Sequence, residues 1–436
     1  MRDYKPCFIE VLPEELLKDI FICRASNDYG ATITSRGEIV LSHVCHYWRE
    51  VSISTPQLWT RVHRRVRQRH LSPISTYLAR SKQMPLDLIV HAAYQPSSPW
   101  ADQEFIAESL VGVCELLEPH ISRCRKIEFY GENSANEDPF LQMLASISMP
   151  ILQSLHLSPR VEGGSFEAEQ AVLFNDDAPM LRRVSLRFSQ ALRVLTVPLP
   201  HVTHLRFDIS DRITQESAYG PPWITEQLAR CPLLVHLDLG IIAISPSWNG
   251  IHLNLPLLLT MSFVATNWDT TSAVLGAFEC VSLEHLNIAV QYTEWVPTAR
   301  GPLKFPLLRK LSLSQLISPA PPFPHMSILF PLISELSFNH SLDVPGLIDR
   351  FDSISRDSAS AASTSIILPH LKTIGINAEP PVDELRSLLT GRAEHGGPIE
   401  QLLVPREHIA KGREIASAME PPVAVGEFVE FCPFQL

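Results

Sequence analysis

The sequence predicts an α/β fold in which a short helical front end leads into a solenoid of irregular repeats, their strands aligned in one curved parallel sheet. Three observations carry that prediction. A proline-led apolar phrase recurs from Pro150 to Pro398, helical periodicity fills several gaps between its copies, and residues 12–59 hold three short helix patterns without the phrase. With 45% hydrophobic residues, 436 residues can bury a core and divide into more than one unit. Proline outnumbers glycine 36 to 18, so the fold must use proline repeatedly.

The front end opens on LPEELLKDIF, Leu12 to Phe21. Pro13 suits the first helical position, Glu14 and Glu15 favour the positive helix start, and Leu16, Leu17, Ile20 and Phe21 form one apolar stripe. A polar stretch with Asn27, Asp28, Gly30 and Gly37 follows. The spacing of Ser35 and Glu38 is that of a capping box, and Val40, Leu41, Val44, Cys45, Trp48 and Val51 then fall at helical intervals as one second helix. Thr55-Pro56 repeats the cap-then-proline start, with Leu58 and Trp59 on a brief third helix. Three short helices make a small core, which leaves apolar surface for a partner.

LPEELLKDIF followed by LSHVCHYWREVSISTPQLW resembles the F-box motif of a large family of fungal F-box proteins, over Leu12 to Trp59. The elements that match are the Leu-Pro start, Glu-Leu-Leu-x-x-Ile-Phe, Val-Cys-x-x-Trp-Arg and Pro-x-Leu-Trp. Ile22 to Val40 is longer than the usual link and reads as an extended loop. The resemblance implies docking on the Skp-type adaptor of a cullin-RING ubiquitin ligase through Leu12, Pro13, Leu16, Leu17, Ile20, Val44, Trp48, Leu58 and Trp59. The physical warrant is burial of a helix face anchored by large side chains. The alternative is that the same residues pack internally.

Behind the front end the phrase Pro-x-Leu-x-x-Leu-x-Leu appears as PILQSLHL, PMLRRVSL, PHVTHLRF, PLLVHLDL, PLLLTMSF, PLLRKLSL, PLISELSF, PHLKTIGI and PIEQLLV, with VSLEHLNI lacking the proline. The steps from Met261 to Leu286, Leu311 and Leu336 are each 25 residues by subtraction, which is leucine-rich-repeat spacing. The last four positions alternate as a half-buried strand does, and proline is expected at the strand entry, where it removes no ladder donor. Segments 223–229, 271–278 and 382–389 read as helices between strands. Residues 85–90 and 125–129, flanking an amphipathic stretch from Asp102 to Cys124, read as the first, atypical repeats, and Ser72-Pro73 starts a joining helix. Segments 162–177, 319–324 and 352–365 read as excursions. Residues 420–436, with Phe428, Phe431 and Phe434, read either as a cover for the open sheet end or as a disordered tail. The domain reading is therefore 1–70 for the F-box with its N-terminal extension, 71–84 for a helical connector, 85–405 for the solenoid and 406–436 for a cap or tail.

Non-leucine positions of each strand phrase face the concave side and supply candidate ligand contacts. His156, Arg183, Arg187, His204 and Arg206 suggest a basic patch for an acidic or phosphorylated peptide, because guanidinium forks match carboxylate and phosphate. Asp208 and Asp238 beside them, with His236, leave open a solvated and self-neutralised face. Convergent His204, Asp208, His236 and Asp238 are also where an active site would be sought.

Other classes are disfavoured. Thirty-six Lys and Arg against 47 Asp and Glu give a net charge of -11, which argues against nucleic acid or anionic membranes as partners. The basic run Arg61 to His70 reads as the exposed face of a helix with Val62 and Val66 turned inward, the alternatives being a nuclear address or a nucleic-acid patch. The start has no signal-peptide pattern and no apolar run reaches a membrane span. Eight scattered cysteines without a CxxC pair point to reduced thiols in a cytosolic or nuclear setting. His43, Cys45 and His46 lack further ligands for a metal, Cys45 falling on the apolar helix face. No GxSxG, HExxH, Walker or GxGxxG motif occurs, so neither a cofactor nor an enzymatic activity is expected. The reading is a non-catalytic substrate-recognition subunit of a ubiquitin ligase that binds an unknown substrate protein. The alternative is a non-ligase repeat scaffold.

Overall fold

The computed structural model describes residues 12–26, 37–65, 71–92, 103–131, 138–158, 171–187, 195–208, 221–242, 251–265, 268–290, 305–314, 330–339, 345–346, 348, 368–420 and 422–430. The chain forms two units, Met1–Leu181 with Ser189–Pro198, and Arg182–Phe188 with Leu199–Leu436.

The first unit runs α1 (Glu14–Ser26), α2 (Gly37–Ser42), α3 (His46–Ser54), a 3-10 turn at Pro56–Trp59, β1 (Arg61–Arg65), α4 (Ser72–Arg80), β2 (Leu86–Ala92), α5 (Gln103–Leu117), β3 (Cys124–Gly131), α6 (Asp138–Ser146) and β4 (Ser154–Ser158). A two-residue pair, β5 (Ala171–Val172) with β7 (Leu195–Thr196), completes it; β6 (Arg183–Arg187), between them in sequence, belongs to the second unit. β1 to β4 pair in chain order, all parallel.

The second unit continues with β8 (His204–Asp208), α7 (Pro221–Ala229), β9 (His236–Ile242), β10 (Leu253–Asn254), β11 (Thr260–Ala265), α8 (Trp268–Ala277), β12 (Phe278–Glu279), β13 (His285–Val290), β14 (Lys310–Ser314), β15 (Glu335–Asn339), β16 (Thr373–Asn377), α9 (Val382–Glu394), β17 (Gln401–Val404), α10 (Ile409–Ser417) and β18 (Ala424–Glu427). Ten of its strands pair in parallel in the order β6-β8-β9-β11-β13-β14-β15-β16-β17-β18, while β10 pairs with β12. Every copy of the repeat phrase is a strand of these parallel sheets, so the chain is an α/β protein of stacked strand repeats.

The phrase's second and third leucine positions supply the core. Leu205 and Phe207, Leu237 and Leu239, Leu286 and Ile288, and their equivalents are nearly inaccessible, each worth about 1.5–3 kcal/mol of burial. Proline has a different place from the one expected. It occupies the second position of a β-turn ahead of the strand, between a buried residue whose carbonyl accepts and another, three on, whose amide donates. Leu199 O with Val202 N, Cys231 O with Leu234 N and Leu255 O with Leu258 N are examples at 3.1–3.2 Å. Proline's fixed φ matches that turn position, and its missing N–H is not needed there. Val281 takes the place in the Cys280–Leu283 turn.

Four expectations are corrected. The basic segment Arg61–Arg65 is not a helix face but the first strand, with Val62 and Arg64 buried and Arg61 and Arg65 exposed; Val66 to His70 lie outside the described residues. Both ends of the loop expected over Ile22 to Val40 are helical, α1 extending through Ser26 and α2 starting at Gly37, while residues 27–36 lie outside the described residues. The second helix is two helices, broken at Cys45, which caps α3 by accepting the Trp48 amide on its exposed sulfur at 3.4 Å. Thr55 does not cap the following turn; its hydroxyl donates back to Val51 O at 2.7 Å. Residues 319–324, 352–365, Phe431 and Phe434 lie outside the described residues. The region read as cap or tail forms α10 and β18, another strand of the sheet. Gly412 allows α10 its close approach there, since a Cβ would stand 3.1 Å from Val425 and 3.2 Å from Val404.

Candidate functional site

The front-end helices bury Leu17, Phe21, Leu41, Val51, Leu58 and Trp59 as a core of their own. Phe21 meets Trp48 with ring centroids 4.8 Å apart, and the Trp59 indole donates to Ser52 O at 2.8 Å, meets the edge of Tyr77 and carries the Arg80 guanidinium 4.3 Å above its ring. Tyr77 also donates to the Glu38 carboxylate, joining α4 to α2. The expected apolar stripe of α1 therefore splits. Leu17 and Phe21 turn inward, while Leu16 and Ile20 are each 50% exposed. Of the nine expected docking residues, Pro13, Leu16, Ile20 and Val44 are exposed and Leu12 and Trp48 half-buried. Leu17, Leu58 and Trp59 are buried, so direct contact by them is corrected to support from beneath. Exposed Val40, Tyr47 and Ile53 were not foreseen as surface groups, because a helix broken at Cys45 presents different faces from a continuous one.

In the second unit, β6, β8 and β9 bring seven of the eight candidate ligand contacts onto one polar face: Arg183, Arg187, His204, Arg206, Asp208, His236 and Asp238. His156 is in the first unit, on β4. The expected basic patch is largely self-neutralised. Arg187 lies 3.8 Å from Asp208, and Arg206 lies 3.3 Å from Asp238. The His204 and His236 rings meet with centroids 4.3 Å apart, tilted at 39°. Burial first, then His236 and Arg183, push His204 down to about 4; burial and Arg183 also lower His236. Both imidazoles are neutral at pH 7, and burial raises the Asp238 carboxyl against the pull of Arg206.

Further along, hydrogen bonds link neighbouring strands across this face. His236 Nδ1 lies 2.7 Å from Thr260 Oγ1, and His285 Nε2 lies 2.9 Å from Ser312 Oγ. Asn287 donates to Ser262 at 3.1 Å and accepts from Ser314 at 2.9 Å. The result is an interlocked, mostly uncharged surface of donors and acceptors.

These imidazoles predict a pH effect. Burial pushes His285 down to about 4, as it does His204, against an ordinary 6.5. As pH falls through 6.5 the unfolded chain binds protons that the folded chain refuses, so stability declines until the folded values near 4 are reached. The melting temperature of a His204→Gln, His285→Gln variant should therefore fall less steeply with acidification across that window. Equal slopes in variant and wild type would refute the assignment.

On the first unit's polar face, His156 is one of four rings on successive strands. His63 meets His91 at 5.0 Å, His91 stacks on Tyr130 at 4.6 Å and 7°, and Tyr130 meets His156 at 4.8 Å. The Tyr130 hydroxyl donates to Glu128 at 3.0 Å, and Lys126 pairs with the same carboxylate at 2.8 Å. Burial alone would raise Glu128, but Lys126 and Tyr130 hold it below the usual carboxylate range; burial, then Glu128, raises Tyr130. The sequence pointed to His156 alone. His63 was hidden in a segment read as helix, and the strand read at residues 85–90 stopped one short of His91.

Burial pushes the thiols of Cys114, Cys124, Cys231 and Cys280 up to about 12, so they stay protonated and inert as nucleophiles. Among the described residues no cluster of three or more His, Cys, Asp or Glu is placed to hold a metal, and no helix is long and apolar enough to cross a membrane.

No family model and no curated protein matches the chain. Solved structures that match include the leucine-rich repeat-containing protein LegL7 from Legionella pneumophila, at 13% identity and a TM-score of 0.35, covering 64% of this chain and 90% of that one. A likeness at that score bears no weight here; the repeat architecture rests on the strand order and on the turn that recurs before the strands.

Proposed function

We propose that the chain is an F-box protein, the substrate-recognition subunit of a cullin-RING ubiquitin ligase. Its front-end helices dock on a Skp-type adaptor and its repeat face holds a substrate protein. One observation carries this reading: the front end has a complete core in Leu17, Phe21, Val51, Leu58 and Trp59, yet keeps a second apolar set, Leu16, Ile20, Val40 and Val44, at 50–64% exposure. Isolated apolar residues on a surface are ordinary; four on α1, α2 and the turn after α2, within about 30 residues of sequence, suit a partner. The chain's part is proximity, holding a substrate lysine near a ubiquitin-charged enzyme that other subunits bring. The interlocked polar face from β9 to β14 suits a polypeptide ligand, because a rigid array of donors and acceptors loses little entropy on binding.

That polar face would serve a non-ligase scaffold equally well, and the front end separates the two. In a pull-down of purified full chain with a Skp-type adaptor, wild type should bind and a Leu16→Asp, Ile20→Asp variant should lose about a hundredfold in affinity. Both positions face solvent, so circular dichroism should be unchanged. Absence of binding by folded wild type would leave only the scaffold.

A further inference from the structure

We propose that the polar face of β15 and β16 is a binding site for an extended peptide with an aromatic residue followed, two positions on, by an acidic one, and that residues Phe428–Glu430 of the chain itself occupy it. After β18 the Phe428 amide makes a last ladder bond to Val404 O at 2.7 Å. The chain then reaches back over β17. The Phe428 ring sits over the backbone of Gly375 on β16, where an added Cβ would be 3.0 Å from the ring and 2.7 Å from Ser337 Oγ. Glu430 lies further on, accepting from Asn339 Nδ2 on β15 at 2.8 Å, while Asn339 Oδ1 accepts from Asn377 Nδ2 at 2.5 Å. That second bond fixes the Asn339 amide with its N–H₂ toward the carboxylate.

Ser337 and Asn339 are on the polar face that is half-buried at Arg206 and Asp208 on β8, and are 4% and 7% exposed; Ser314, paired with Asn339, is 7% exposed as well. A segment serving only as an end cap would turn its apolar side chains inward. Here Val429 is 76% exposed, Glu430 is exposed and Phe428 is half-buried, and the contacts that hold these three residues include the Phe428 ring, its ladder bond and the Glu430 carboxylate. Contacts of this kind, a ring on the strand backbone, a ladder bond and a carboxylate on an amide, are those of a short peptide ligand, and a partner offering the same side chains on a longer segment competes for them.

The inference deepens the reading of the repeat face as a partner-binding surface and is independent of the front-end helices. Its test is fluorescence anisotropy with a labelled peptide Gly-Glu-Phe-Val-Glu-Phe, the sequence of residues 426–431, against the full chain. A Phe428→Ala, Glu430→Ala variant, its own segment disarmed, should bind the peptide about tenfold or more tighter than wild type, as expected when an intramolecular competitor is removed. Adding Asn339→Asp, which sets a carboxylate against the peptide's acid, should abolish that gain. Equal binding by wild type and the double variant, or no binding by a folded double variant at about 1 mM peptide, would overturn the proposal and make the segment a fixed cap. Adaptor binding is unaffected in every arm, so failure here and failure of the adaptor reading are separately visible.

Discussion

Replacing Trp59 by alanine should unfold the front end. The side chain is 1% exposed, and its removal opens a large cavity among Tyr77, Arg80 and the end of α3. Truncation of a buried tryptophan costs about 3–5 kcal/mol. Losing the indole donor also removes one hydrogen bond to the Ser52 carbonyl, which then keeps the Thr55 amide at 3.3 Å, and the loss of such a bond typically costs a further ~1 kcal/mol. Three short helices have little stability in reserve, so the loss should be local. Hydrogen exchange should show protection of Glu14–Ser26 and His46–Ser54 collapsing while β8 to β17 stay protected. Trp59→Phe keeps most of the apolar volume and should recover more than half of the loss. Unchanged exchange in α1 and α3 of Trp59→Ala would mean that Trp59 does not hold them. The contrast with Leu16 and Ile20 matters for function: those substitutions should remove docking and leave the fold, whereas Trp59→Ala removes docking through the fold.

Arg392→Ala should destabilise the C-terminal repeats by about 3 kcal/mol, the range for removing charged donors from buried acceptors. Arg392 is 2% exposed on α9, and burial pushes its guanidinium down to about 10. It donates to Gly397 O and to Leu368 O, each at 3.1 Å, tying the end of α9 to the turn that opens β16. Leu368 has φ 51, a left-handed conformation a leucine seldom adopts, and the bond to its carbonyl helps hold it there. Arg392→Lys should rescue little, because a single ammonium lacks the planar fork needed to reach both carbonyls. Urea denaturation with exchange read at Thr373–Asn377 and Gln401–Val404 measures the effect. A variant with wild-type protection in both strands would show that Arg392 does not hold them.

Much of the repeat region was legible because its signal is redundant. Each strand phrase has period-2 alternation, nine of the ten have a proline three or four residues upstream, and all ten copies became strands. β1 was not legible because its inward positions hold Val62 and Arg64. A buried arginine erases the alternation that marks a strand and makes the segment look like a solvated basic face. The break at Cys45 was hidden for a related reason: a cysteine thiol is a weak acceptor that sequence patterns do not treat as a cap, though here it accepts the Trp48 amide.

The candidate sites divide along the same line. Side-chain direction along a strand is fixed by local geometry, so the alternation in each phrase is enough to assign Arg183, Arg187, His204, Arg206, Asp208, His236 and Asp238 to the polar face on which the register brings them together. Whether that face is basic depends on distances across strands, and the Arg187–Asp208 and Arg206–Asp238 pairs and two neutral imidazoles cancel most of the charge. On α1 the helical period put Leu16, Leu17, Ile20 and Phe21 within one stripe, but which half of it is buried depends on where α3 packs. The sequence by itself determined the parallel strand repeats and the apolar surplus of the front end, because each follows from local patterns of residues. Only the tertiary structure decided which apolar groups remain exposed, which charges cancel, and that Phe428 and Glu430 lie on Gly375 and Asn339, because those outcomes depend on contacts between residues far apart in sequence.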